Sequence, residues 1–242
     1  MNKCNRDIIL SNLDRIKEGI IHSCQRVGRN PSEINILPVT KTRSLEEVSC
    51  LRDIGYREFG ENLVKEGVRK YTTSENGIWI MIGHLQTNKV KDVVRFAKEV
   101  HSVDSIKLIN ALEKELQRSN KIMRGMLQVN TSGETSKYGF SEAELFDNLD
   151  EISKLEYLKI DGVMTLALNS KNEADVRKCF EKLKSIQTKI NNMNVLENEV
   201  TRISMGMSGD YKIAIEEGAT DLRLGQAIFG PRETPDSFYW PA

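Results

Sequence analysis

Eight short β-like runs alternate with helical segments along this 242-residue chain, and few architectures accept that count. The runs are INILPVT (34–40), REFGEN (57–62), IWIMIGH (78–84), EVHSVD (99–104), RGMLQVN (124–130), LKIDGVMTL (158–166), TRISMGMS (201–208) and TDLRLGQAIFG (220–230). Apolar residues recur at helical spacing between them, as in Leu45, Val48, Leu51 and Ile54, or Ile106, Ile109, Leu112 and Leu116. Ser44 with Glu47, and Ser141 with Glu144, have the spacing of a capping box. A further helix, about 6–27, precedes the first run and carries Ile9, Leu13, Ile16 and Ile20 on one stripe. The pattern predicts an α/β chain: a single (β/α)8 TIM barrel with an extra N-terminal helix. It reads as one domain over 1–242, with the barrel at about 34–230 and a short C-terminal tail. An open doubly wound sheet is the alternative. It does not need eight units, and the first βα turn, VTKTRS, lacks a glycine-rich dinucleotide fingerprint.

Composition narrows the function classes. Thirty-five basic and thirty-five acidic residues cancel, so there is no surplus of positive charge to attract nucleic acid or an anionic membrane. No apolar run approaches the length of a bilayer span, and the N-terminus is too often charged for a signal peptide. A cytoplasmic protein is expected. Its cysteines (4, 24, 50 and 179) form no CxxC, and its three histidines have no metal-ligand spacing, so four reduced thiols and no metal are expected.

A barrel places its chemistry where strands end and βα loops begin. Those ends carry Lys41, Glu61, Asn62, His84, Asp104, Asn130, Thr165, Ser204, Ser208 and Arg223. Strand alternation puts Lys41 on the face of Leu37 and Val39, groups Ile82 and His84 with Ile80, and puts Arg223 with Gly225. A lysine inside an apolar mouth is costly as an ammonium. It either pairs with Glu61 or Asp104, or serves as a partly neutral amine that forms a Schiff base. SMGMSGD (204–210) and RLGQAIFG (223–230) bring small residues to the ends of the last two strands, where barrels often hold a phosphate. A phosphate anchor facing a buried lysine suits an aldehyde that carries a phosphate, and pyridoxal 5′-phosphate (PLP) fits that description. An arginine facing the pyridine nitrogen can only donate a hydrogen bond, leaving the ring unprotonated and a weak electron sink. The plainer alternative pairs Arg223 with a neighbouring acid.

VTKTRS, FGEN, IGHLQTNK, HSVDS, QVNTSGETSKYGF, DGVMTL and SMGMSGDYKIAIEEGATDLRLGQAIFG together resemble the YggS/PROSC family of PLP homeostasis proteins, over about 34–230. That family is similar to the N-terminal barrel of alanine racemase. The resemblance implies a barrel that binds PLP as an aldimine with Lys41 and takes part in vitamin B6 balance and cofactor supply. It implies that Arg223 meets the ring nitrogen and Asn62 lies beside the ring. It also implies that Ser204, Met205, Gly225 and Gln226 surround the phosphate, with Ser208 nearby. Ile82 and His84 complete the expected cofactor-binding set. The sequence departs from the family's pattern at Gln226, where a threonine is usual, in IWIM before IGH, and at Gly209, where an acid is frequent.

Racemisation needs an acid/base on each face of the substrate α-carbon. In alanine racemase the second is a tyrosine from a separate C-terminal domain, for which the twelve residues after AIFG leave no room. Tyr138 is expected to be a surface aromatic of the 131–140 loop, the candidate mobile segment. The expectation is a non-catalytic PLP carrier and a monomer, with apo PLP-dependent enzymes as candidate partners. A small racemase of the same fold and a Schiff-base aldolase acting without PLP are the alternatives. Lys137 is a candidate second PLP contact during release.

Overall fold

The computed structural model describes residues 6–73 and 77–231. In chain order the elements are α1 (Arg6–Arg26), β1 (Asn35–Pro38), α2 (Leu45–Asp53), β2 (Glu58–Glu61), α3 (Val64–Thr73), β3 (Ile78–Met81), α4 (Val90–Phe96), β4 (Ala97–Val103) and α5 (Ile106–Ser119). They continue with β5 (Met123–Gln128), α6 (Glu142–Asp147), α7 (Leu149–Ile152), β6 (Leu158–Met164), α8 (Glu173–Met193), β7 (Arg202–Ser204), α9 (Tyr211–Glu216), β8 (Asp221–Leu224) and α10 (Gln226–Phe229). All strand pairs are parallel, in the order β1-β8-β7-β6-β5-β4-β3-β2. A parallel bridge between Val39 and Gly60 brings β1 to β2 and completes the ring. This is the (β/α)8 barrel with an additional N-terminal helix.

Local chemistry sets the helix starts. Ser44 and Ser141 each accept the backbone N–H of the residue three places on, and Glu47 and Glu144 return a bond to the cap, so both capping boxes form. The predicted helix after Ser141 breaks into α6 and α7 at Asn148, which caps one and precedes the other. The last two predicted strands are shorter than expected. SMGMS leaves the sheet after Ser204, and QAIF turns into a one-turn helix after Gly225.

Helix α1 buries Ile9, Leu13, Ile16, Ile20 and Cys24, each large apolar side chain contributing about 2 kcal/mol of burial. Its partners are α9 and α10. Asn12 donates to Ile228 O at 2.9 Å, and Arg29, just past the helix, donates to Ile215 O at 2.8 Å. At Gly19 a Cβ would stand 2.4 Å from the Tyr211 hydroxyl, so this glycine permits the close approach. The extra helix therefore braces the two helices that follow β7 and β8.

Two expectations are corrected. Cys24 and Cys179 are free and buried, but Cys50 is disulfide-bonded, which cysteine spacing alone does not reveal. The barrel interior is also not purely apolar. Arg202 on β7 crosses it to Glu99 on β4 at 2.5 Å, and also bonds Asp221 at 2.6 Å and Asp161 at 3.4 Å. Arg124 adds a 2.8 Å bond to Glu99. Burial opposes ionisation of Glu99, yet the bond from His101 and the charges of His101, Arg202 and Arg124 outweigh it and bring the carboxyl down to about 2.

Candidate functional site

Lys41 is half-buried at the end of β1, in the turn that leads to α2. Each of the two carboxylates considered as its partners bonds another side chain. Glu61 bonds Lys70 at 2.7 Å, and Asp104 bonds His84 Nδ1 at 2.8 Å. Alternation holds around it: Leu37 and Ile82 approach one another over Gly60 inside the barrel, while Thr40 and Glu61 face α3. Asn62 is half-buried, and its carbonyl would stand 2.2 Å from a Cβ at position 83, so β2 and β3 end in contact.

Arg223 lies on β8, the strand beside β1, opposite Leu37 in register. It is 4% exposed and makes no direct ion pair among the described residues, so the neighbouring acids Asp210 and Asp221 act on it only through space. Nη1 donates to Ser204 Oγ at 2.7 Å and Nη2 to Thr165 O at 2.8 Å. Burial lowers its pKa to about 10 against the opposing pull of Asp210 and Asp221, so at neutral pH it is a cation. Two hydrogen bonds spend only part of a guanidinium's five N–H donors. A buried cation with unspent donors suits a neutral acceptor such as a pyridine nitrogen.

Behind Arg223 runs a chain that the strand-end reading missed. Ser204 Oγ lies 3.1 Å from His101 Nδ1, and His101 Nε2 lies 2.8 Å from Glu99 Oε1. All three side chains are buried. The signal was present in EVHSVD, where Glu99 and His101 share one face of β4. Polar residues at period two inside a buried strand mark an interior network.

On the phosphate side, the loops after β7 and β8 are pinned together where Ala227 N–H donates to Ser208 Oγ at 2.9 Å. Gly206 has φ +92°, and a Cβ there would meet that of Ala214 at 2.6 Å, so no side chain can stand in this bend. Gly225 precedes Gln226, the first residue of α10, whose N–H no carbonyl of that helix reaches. The donor set is narrower than the resemblance implies. Met205 is fully buried and its N–H donates to Asp221 O, while the Ser204 hydroxyl belongs to Arg223 and His101. Gly206, Ser208, Gly225 and Gln226 remain the groups that would meet a phosphate. Residues at both ends of the site thus fit PLP.

The fourth side of the mouth is formed by the loop after β5. Tyr138 stacks on His84 with ring centroids 3.5 Å apart and planes within 7°, although it is more than half exposed. It is therefore part of the strand-end ring and not an isolated surface aromatic. Asn130 organises the loop by donating to Glu134 O and Lys137 O and accepting from Ser132 Oγ and Gly133 N–H. Lys137 donates to Ala167 O at 2.8 Å and pairs with Glu134. The segment expected to be mobile is tied down, and Lys137 is one of its ties.

The model of the alanine racemase N-terminal domain matches residues 12–233. A pyridoxal phosphate homeostasis protein of Vibrio alginolyticus is 36% identical over 93% of this chain and 98% of its own length. One from Aquifex aeolicus is 34% identical over 96% and 100%. PipY of Synechococcus elongatus PCC7942, solved with PLP bound, superposes with a TM-score of 0.77 at 28% identity, covering 87% of this chain and all of that one. With its barrel, its strand-end residues and these relatives, the chain belongs to the alanine racemase N-terminal domain family, among the pyridoxal phosphate homeostasis proteins.

Proposed function

We propose that this protein binds PLP covalently through Lys41 and acts in PLP homeostasis as a cytoplasmic holder and donor of the cofactor, without efficient catalysis of its own. PLP supplies an aldehyde and an electron-withdrawing ring. Lys41, as the neutral amine, would be the nucleophile that holds that aldehyde covalently, with loss of one water. Arg223 is the observation that carries the reading. Held by Ser204 and Thr165 and in direct ion pairing with no carboxylate among the described residues, it offers a hydrogen bond but no proton to the ring nitrogen. That environment favours holding the cofactor over driving carbanion chemistry on it. The bound PLP of PipY supports the ligand, and the names of the curated relatives support the role. Apo PLP-dependent enzymes are the proposed recipients.

Visible absorption followed by borohydride reduction and peptide mapping tests the reading. The protein should be yellow with PLP, the reduced pyridoxyl group should map to Lys41, and Lys41→Ala should stay colourless while folded. Exchange of the α-proton of alanine should not exceed that given by free PLP. A pyridoxyl group on another lysine, or rapid stereochemically balanced exchange, would overturn the attachment site or the carrier role respectively.

A further inference from the structure

Between the barrel wall and α3 lies a sealed ionic cluster. Lys70 and Glu61 are both 0% exposed, and Glu66 is 12% exposed. Lys70 Nζ bonds Glu61 at 2.7 Å and Glu66 at 2.9 Å. Its third bond goes to the backbone carbonyl of Thr40 at 2.5 Å. Glu61 also accepts the Thr40 hydroxyl at 2.5 Å, and Glu66 accepts the backbone N–H of Thr42 at 2.8 Å. The cluster thus grips the peptide groups on both sides of Lys41.

The gripped backbone is unusual. Arg43 N–H donates to Thr40 O at 3.0 Å, closing a four-residue turn with Lys41 and Thr42 at its centre. Thr42 has φ +65°, the left-handed conformation that such turns reserve for glycine, and its buried hydroxyl has no partner. A β-branched residue adopts this conformation only where its surroundings impose it. Burying two carboxylates and one ammonium is also a poor source of stability, because desolvation offsets the Coulombic gain. Burial pushes the Glu61 carboxyl up in spite of Lys70. An apolar side chain would fill the same space at lower cost.

We infer that Lys70, Glu61 and Glu66 are positioning residues that fix the backbone on either side of Lys41 and so aim its flexible side chain at the aldehyde. The functional half of this inference rests on Lys41 being the attachment point. Holding Cα and Cβ in place restricts the volume that Nζ samples and raises the fraction of conformers able to react.

The test compares the full-length parent with Glu66→Ala, Glu66→Gln, Lys70→Met and a control, Lys121→Met, which loses a bond to Val94 O far from the site. Thr42 amide hydrogen exchange in the protein without PLP reads the grip, and the rate of covalent PLP attachment reads its consequence. Glu66→Ala should speed Thr42 exchange and slow attachment, each about tenfold, the return on one buried hydrogen bond to a charged group. Glu66→Gln keeps an oxygen for the Thr42 N–H and should stay within about threefold of the parent. Lys70→Met, if folded, should resemble Glu66→Ala, and Lys121→Met should leave both rates alone whatever it does to thermal stability. Parental rates in Glu66→Ala, or equal slowing in Glu66→Gln or Lys121→Met, would overturn the inference. A parent that takes up no PLP on Lys41 would defeat the site reading instead, and Thr42 exchange would still decide the grip.

Discussion

Arg223 and Lys70 are both buried cations, and the fold treats them in opposite ways. Arg223 meets only a hydroxyl and a carbonyl, whereas Lys70 is matched by two carboxylates. Position made Arg223 legible, since it lies on a strand near the end where barrels do their chemistry. Lys70 stands in KEGVRKYTT, a helical stretch rich in charge, where a solvated lysine is the natural expectation. Thr42 was equally hidden, because a threonine in VTKTRS gives no sign of a left-handed turn. Its strain makes a prediction of its own. Asparagine tolerates positive φ far better than a β-branched residue and leaves no orphaned hydroxyl there. Thr42→Asn should therefore raise stability by about 1 kcal/mol, seen as a higher urea midpoint with unchanged slope. A lower midpoint would mean that the turn carries no strain at this residue.

At the level of elements, periodicity placed the helices and strands correctly where one face alone is buried, as on α1 and α5. It overran the ends of β7 and β8, where apolar and small residues continue into a loop and a helix that are still partly buried, at Met205, Gly206, Ile228 and Phe229. Partial burial without a change of pattern hides such boundaries. The loop after β5 shows the converse case. Gly, Ser, Thr and Lys in TSGETSKYGF suggest mobility, but one side chain, Asn130, converts the segment into a closed turn. Phe140 closes it by pairing with Val129 and donating to Gln128 O at 2.8 Å. Asn130→Ala removes the hub and should cost about 1–2 kcal/mol of loop stability. Limited proteolysis should then cut within 131–138 about tenfold faster at unchanged protease concentration. An unaltered cutting rate would show that the strand-like pairing at Phe140 holds the loop without Asn130.

Across the whole molecule, one hydrogen-bonded series joins the two ends of the barrel. It begins at Arg124 and Arg202, passes through Glu99, His101 and Ser204, and ends at Arg223. Eight strands from distant parts of the sequence must close before these groups meet, which is why no local motif announces them. The series couples folding to pH through Glu99, whose carboxyl sits at about 2 against an ordinary 4.5. A folded-state pKa below the unfolded value stabilises the fold above the unfolded value, and that stabilisation fades as pH falls from 4.5 towards 2. The size is on the order of 3 kcal/mol. Asp221 is shifted the same way: burial opposes its ionisation, but Arg202 prevails. Asp161 and Glu61, raised by burial, gain from acidification and reduce the net loss. Glu99→Gln should therefore be markedly less stable than the parent at neutral pH, and the gap should narrow steadily below pH about 4.5. Urea unfolding of both proteins from pH 7 to pH 3 measures it. Parallel curves would assign the acid sensitivity to other carboxylates and leave Glu99 a hydrogen-bond acceptor whose charge is not felt.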